Sequence, residues 1–261
     1  MSEALLECTG LTMMFGKLAA LDGLDIVVNK GDILGLVGPN GSGKTTFFNV
    51  VTGIYHKTSG SVLFEGKDLS GLSPQAIFRA GIARTFQRSR LCLDLTVFDN
   101  IMVGWHNAVN LGFWSNLFGR STFLKEYHEG RERAAALLKS LNPVLVDQMD
   151  RAVGDLSMID RRRVEICRAV IASPRLLLLD EPSAGMTEDE TRQLMDEIVA
   201  MRDRGDNDWT IVLIEHEMNV IKRVTNRCIV LNFGQKLCEG PYEVVTADPV
   251  VREAYLGSEE L

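Results

Sequence analysis

The run Gly38-Pro39-Asn40-Gly41-Ser42-Gly43-Lys44-Thr45 fits the pattern G-x-x-x-x-G-K-[ST]. It stands between a short apolar, partly β-branched segment, Ile33 to Val37, and a segment without breakers, Thr45 to Val51. Glycines let such a loop curl until successive backbone N–H groups face one point, and the helix that follows adds unpaired donors and the positive end of its dipole. This cradle suits a polyphosphate, so the chain is expected to bind a nucleoside triphosphate. Lys44 then neutralises the terminal phosphates, Thr45 offers its hydroxyl to Mg²⁺, and Thr46 reaches a phosphate oxygen. Downstream, Leu176-Leu177-Leu178-Leu179-Asp180-Glu181 reads as a buried central strand ending in two acids. Asp180 is expected to hold Mg²⁺ through water; Glu181, pointing differently, is the candidate to polarise an attacking water. Thr210 to Ile214 leads to Glu215-His216, which sets an imidazole at another strand's carboxyl end, where it can contact the γ-phosphate.

These residues need a framework. Leu5 to Val28 alternates apolar and polar residues around turn signals at Phe15-Gly16-Lys17 and Asp22-Gly23, which predicts two or three antiparallel strands. After the phosphate loop come a strand from Ser61 to Phe64, a short helix from Ser73-Pro74 and a strand from Ile82 to Phe86 ending at Gln87. From Arg88 to Asp155 the periodicity is helical, at Val97 to Trp105 and Phe123 to Leu141, which predicts an inserted helical subdomain over 88–155 within a core of 1–87 and 156–261. Alternation then resumes: helix Met158 to Ala172, strand Leu176 to Leu179, helix Glu188 to Arg204, strand Thr210 to Ile214, helix Glu217 to Val224 and strand Arg227 to Leu231. The pattern predicts an α/β fold with a mostly parallel sheet covered by helices, closed by a hairpin at 232–235 and two short helices.

Composition narrows the classes. With 261 residues and 46% apolar content the chain can bury a large core. A net charge of −7 argues against a nucleic-acid partner, although Arg161-Arg162-Arg163 is a local basic cluster. No apolar run is long enough to cross a bilayer and no leader pattern opens the chain, so it is expected to stay in the cytosol. Five scattered cysteines read as reduced thiols, and four dispersed histidines imply no metal beyond Mg²⁺ carried by the nucleotide.

Taken together, these motifs resemble the ATP-binding subunit of ABC transporters over essentially the whole chain. Gly38 to Thr45 is similar to that family's Walker A motif, Leu176 to Asp180 to its Walker B with Glu181 as catalytic base, and His216 to its H-loop histidine. By the same resemblance Gln87 is the Q-loop glutamine, a ligand to Mg²⁺ and a catalytic residue, and Phe15 is the aromatic that stacks on adenine. Thr85-Phe86-Gln87, Glu181 to Met186, Ile214 to Met218 and Arg252 to Gly257 look like the branched-chain amino acid importer ATPases. The resemblance implies ATP and Mg²⁺ as cofactors and a P-loop ABC ATPase core with an N-terminal antiparallel β subdomain. It also implies a location on the cytoplasmic face of the plasma membrane. The implied partners are a second ATPase subunit paired head to tail, two membrane permeases and an external substrate-binding protein. An ATPase of a urea, amide, aromatic acid or lipid transporter is an alternative, as is a low-turnover regulatory scaffold.

One stretch departs from the family. Its signature, of Leu-Ser-Gly-Gly-Gln type, caps the γ-phosphate held by the opposite subunit; here the equivalent is Leu156-Ser157-Met158-Ile159-Asp160. Branched Ile159 would stand where glycine permits close approach, and Asp160 adds a like charge. Ser157-x-x-Asp160 also fits a capping box, so the helix either caps itself or keeps Ser157 for phosphate while Met158 and Ile159 pack sideways. The departure leads to the expectation of a heterodimer whose partner carries an intact signature. Arg88 to Phe98 either lines a groove for a membrane subunit or packs internally, and the apolar stretch Leu111 to Phe118 either faces the membrane subunit or bilayer or packs inside.

Overall fold

A computed structural model describes residues 3–105, 120–204 and 209–256; the Leu111 to Phe118 stretch lies outside the described residues. Packing divides the chain into two compact units, one of Met1–Arg84, Arg175–Glu181 and Asp208–Leu261, the other of Thr85–Pro174 and Pro182–Asn207.

The first unit holds two sheets. Strands β1 (Ala4–Phe15) and β2 (Leu18–Asn29) form an antiparallel hairpin; β4 (Ser59–Phe64) pairs with β1, and β5 (Lys67–Asp68) with β4, in the order β2-β1-β4-β5. The hairpin turns at Gly16 as expected. Asp22-Gly23 is not a turn: both residues lie inside β2, with Gly23 at φ +61° beside register shifts in the β1–β2 ladder. A glycine bulge and a glycine turn look alike in sequence.

The second sheet adds β3 (Ile33–Val37), β6 (Ile82–Arg84), β7 (Leu176–Asp180), β8 (Thr210–Ile214), β9 (Arg227–Asn232) and β10 (Gln235–Gly240), ordered β10-β9-β3-β8-β7-β6. All neighbours are parallel except β10, which returns from β9 through Phe233-Gly234, both at positive φ as a tight hairpin turn requires. Every residue of β3, β7 and β8 is buried, which is why these strands read as unbroken apolar runs. The last strand before Gln87 ends at Arg84 rather than Phe86. Helix α1 (Lys44–Val51) is anchored by Phe47 and Phe48, both 0% exposed, each contributing about 1.5–3 kcal/mol by burial. Helix α2 (Pro74–Arg79) starts as expected, with Ser73 Oγ accepting from the Ala76 N–H.

Helices α3 (Val97–Val103), α4 (Arg120–Leu141), α5 (Met158–Val170) and α6 (Glu188–Arg204) form the second unit. Leu91 and Phe98 are buried in it while Leu93 and Leu95 are exposed, so the 88–98 segment is part core and part surface. The first unit closes with α7 (Met218–Val224), α8 (Tyr242–Ala247) and α9 (Pro249–Leu256). No described helix is long and apolar enough to cross a membrane.

Candidate nucleotide site

The loop from Gly38 to Gly43 leaves the buried strand β3 and enters α1, and its glycines serve different ends. A Cβ on Gly38 would collide with the carbonyl oxygen of Leu231 on β9, and one on Gly43 would come 2.6 Å from the Ala20 carbonyl. Gly41, at φ +80°, has nothing within 4 Å of where its Cβ would stand: it serves conformation and leaves space open. Asn40 is exposed and Pro39 half-buried; the Ser42 N–H donates to the Pro39 carbonyl at 3.1 Å. The Ser42 carbonyl accepts from the Gly234 N–H at 2.9 Å, so the β9–β10 turn braces the loop.

Lys44 is 5% exposed and folds back, donating from Nζ to the Gly38 carbonyl at 2.5 Å and the Pro39 carbonyl at 3.1 Å. Burial pushes its ammonium below the usual lysine value, partly countered by the charges of Glu181 and Asp180. Thr45 is exposed and Thr46 half-buried on the first turn of α1. Ser42 Oγ is buried without a hydrogen-bond partner among the described residues. Uncommitted donors, open space at Gly41 and a lysine facing two acids fit a phosphate chain.

Asp180 ends β7, one strand removed from β3, and is 2% exposed. Burial pushes its carboxyl above the usual range, opposed chiefly by the Arg84 guanidinium, whose Nη2 donates to Asp180 Oδ2 at 2.6 Å; Glu181 adds to the rise and Lys44 opposes it. Glu181 stands just past the strand at φ +47°, its N–H donating to the Ile214 carbonyl at 3.0 Å. His216 Nε2 lies 2.6 Å from Glu181 Oε1, with the Glu181 side chain 14% and that of His216 37% exposed. Phe15, the last residue of β1, is 45% exposed and stands edge to face against Tyr55 with centroids 5.4 Å apart. Among the described residues no group of three or more His, Cys, Asp or Glu forms a metal site, so a cation here would need oxygens from the bound phosphates as well as Thr45 and Asp180.

Gln87 and Ser157 belong to the second unit. Gln87 is exposed, and its carbonyl and that of Phe86 accept from Arg162 at 3.4 and 3.1 Å. Ser157 caps α5, accepting from the Asp160 N–H at 3.3 Å and donating its own hydroxyl hydrogen to Asp160 Oδ2 at 2.8 Å. Asp160 thus takes the serine hydroxyl rather than a backbone N–H, and its Oδ1 accepts from Arg163 at 2.7 Å and Asn142 at 3.1 Å. Ile159 is not an obstruction, since it is 8% exposed; Met158 projects instead, 57% exposed beside Gly185. The basic cluster Arg161-Arg162-Arg163 faces inward, bonded to Gly154, Glu165, Asp160 and Glu197.

Sequence reasoning missed Arg84, Asn49 and Thr52. Arg84 reads as a lone arginine within the expected strand Ile82 to Phe86, and its role emerges only once β6 is paired beside β7. Asn49 sits on the last turn of α1 and Thr52 caps its C-terminus, beyond the phosphate loop motif, where nothing local marks them.

A phosphate loop between a buried parallel strand and a helix, with acids ending a strand of the same sheet, defines a P-loop nucleotide-binding protein. Residues 21–184 match the ABC transporter family, and residues 235–260 match the branched-chain amino acid ATP-binding cassette transporter family. The chain belongs to the ABC transporter family, and it is an ATPase with the fold of that family's nucleotide-binding cassettes. The high-affinity branched-chain amino acid transport ATP-binding protein LivG of Escherichia coli is 39% identical over 98% of this chain and 99% of its own. BraF of Pseudomonas aeruginosa, of the same description, is 38% identical over the same shares. Among solved structures, the ADP conformation of MJ1267, an ATP-binding cassette of an ABC transporter, is 31% identical with a TM-score of 0.83, covering 98% of this chain and 100% of that one. A nucleotide-free ATP-binding cassette from an ABC transporter is 32% identical with a TM-score of 0.81, over 97% and 98%.

Proposed function

We propose that this chain is the ATP-hydrolysing subunit of an importer for branched-chain or related amino acids, seated at the cytoplasmic face of the membrane against permease subunits and served by an external binding protein. The observation that carries hydrolysis is the pairing of Glu181 with His216 at 2.6 Å beside a buried Asp180, the charges of both acids bearing on Lys44. The amino acid class rests on the names of LivG and BraF and on the match at 235–260.

In this reading the N–H groups of Gly41 and of Gly43 to Thr46 wrap the phosphates, Lys44 exchanges its loop carbonyls for phosphate oxygens, and Phe15 stacks on adenine. Mg²⁺, when bound, would neutralise phosphate charge, held by Thr45 and Asp180. Glu181 polarises the attacking water and accepts its proton, while His216 orients that carboxylate and contacts the γ-phosphate. Replacing Glu181 by Gln in the assembled transporter tests this: ATP binding should persist while hydrolysis and uptake fall at least about 100-fold. A regulatory scaffold would keep its transport rate.

The bonds at the start of α5 favour an asymmetric partner. Ser157 gives its hydroxyl hydrogen to Asp160, and a carboxylate stands where an anion would have to dock. The chain therefore pairs with a second ATPase subunit that supplies a working signature to the site built on Lys44 and Glu181, while the reciprocal site turns over slowly. Met158→Gly with Asp160→Gln should raise turnover at that reciprocal site, and unchanged rates at both sites would remove the asymmetry.

A further inference from the structure

Arg84 is the last residue of β6, in parallel register with Leu178 of β7, two residues before Asp180. Its Nη2 donates to Asp180 Oδ2 at 2.6 Å, and its Nη1 donates to Asn49 Oδ1 at 2.7 Å, with Thr52 Oγ1 at 3.4 Å. The guanidinium carbon lies 5.3 Å from the Phe48 ring centroid. The side chains of Arg84 and Asp180 are 4% and 2% exposed. Phe48, Asn49 and Thr52 all lie on or directly after α1, the helix that begins with Lys44 and Thr45. One planar cation therefore ties the helix of the phosphate loop to the strand that carries Asp180.

A buried ion pair is a weak source of stability, because desolvation consumes most of its Coulombic gain. Geometry is what a forked guanidinium supplies well: two of its nitrogens, bonded to partners on different elements, leave the carboxylate little freedom to turn. A lysine offers a point charge without that fork. Partners that orient a metal-holding carboxylate commonly set its affinity for the ion.

We propose that Arg84 is a positioning residue for the metal–nucleotide complex: it fixes the Asp180 carboxylate relative to α1 and so sets the affinity for a divalent cation alongside bound nucleotide. The proposal rests on the reading of Asp180 as the acid that holds Mg²⁺. The test uses the full chain and Mn²⁺ as a spectroscopic stand-in, titrated by electron paramagnetic resonance with saturating ADP. ADP affinity is measured separately in EDTA. Arg84→Gln should weaken Mn²⁺ binding about 10- to 100-fold with metal-free ADP affinity unchanged, and Arg84→Lys should recover only part of the loss. Asn49→Ala, which removes the shortest bond between the guanidinium and α1 but leaves Asp180 its cation, should give a smaller loss in the same direction and carries the test if Arg84→Gln does not fold. Unchanged Mn²⁺ affinity in the folded variants would overturn the proposal. So would a parallel fall in Mn²⁺ and metal-free ADP affinity, which would make Arg84 a prop of the fold. Lys44→Ala in the same EDTA titration reports on the nucleotide site by itself, so the proposed function can stand where this inference fails.

Discussion

Replacing Lys44 by alanine should weaken ATP binding by an amount set by what the lysine gives up. An ammonium about 3 Å from a phosphate oxygen at an effective dielectric constant of about 20 gains about 5.5 kcal/mol. Before ATP arrives, however, Nζ already donates to the Gly38 and Pro39 carbonyls at 2.5 and 3.1 Å. Hydrogen bonds from a charged donor are worth about 1.5 kcal/mol each at the low end, so surrendering both offsets about 3 kcal/mol. The difference, about 2–3 kcal/mol, corresponds to a Kd about 30- to 150-fold higher for the alanine variant. Fluorescence titration with a labelled ATP analogue on the purified chain measures it, with circular dichroism showing that the variant is folded. A folded variant binding within about threefold of the parent would be worth less than 1 kcal/mol and would mean that the phosphates do not lie beside Lys44.

Gly38→Ala should lower Tm well beyond Gly41→Ala, because the first places a methyl against the Leu231 carbonyl whereas the second meets only the cost of a left-handed residue, about 1 kcal/mol. Equal Tm losses would refute the division of labour among the loop glycines. Arg163→Met should cost about 3 kcal/mol by urea unfolding, since it strips Asp160 and Glu197 of a cation that is 4% exposed. That loss depends on pH. Burial raises the Asp160 carboxyl, but the bonds from Arg163, Ser157 and Asn142 outweigh it and hold the group below its ordinary value. A carboxyl depressed in the fold contributes stability above its unfolded value, about 3.9, and loses it as pH falls through the folded value. The gap between parent and Arg163→Met should therefore be full at pH 7 and narrow below about pH 4; a gap that stays constant would assign the loss to packing.

Features made by neighbours in sequence were legible, and features made by neighbours in space were not. The phosphate loop, the Ser73 cap, and the helix Glu188–Arg204 and strand Thr210–Ile214 all follow from patterns shorter than a few turns. The Ser157 and Asp160 pair was legible as a local motif, but the choice of the serine hydroxyl over a backbone N–H depends on Arg163 and Asn142 gripping the other carboxylate oxygen. Arg161 to Arg163 reads only as a local basic cluster; Arg162 meets Glu165 three residues on along α5, but it takes the packing of α5 against α6 to bring Arg163 to Glu197. Asp22-Gly23 read as a turn because the sequence does not distinguish a chain reversal from a bulge.

Glu181 is the one residue of the candidate site, glycines aside, that holds a left-handed backbone. A side chain there costs about 1–2 kcal/mol, while the extra freedom of glycine in the unfolded chain costs about 0.4–1 kcal/mol, so folding alone favours glycine at 181 by up to about 1.6 kcal/mol. With Glu181 in its proposed role as the base, selection for heat tolerance alone would drift toward a chain that outlasts its parent and drives nothing, and a demand for import would be what keeps the acid in place.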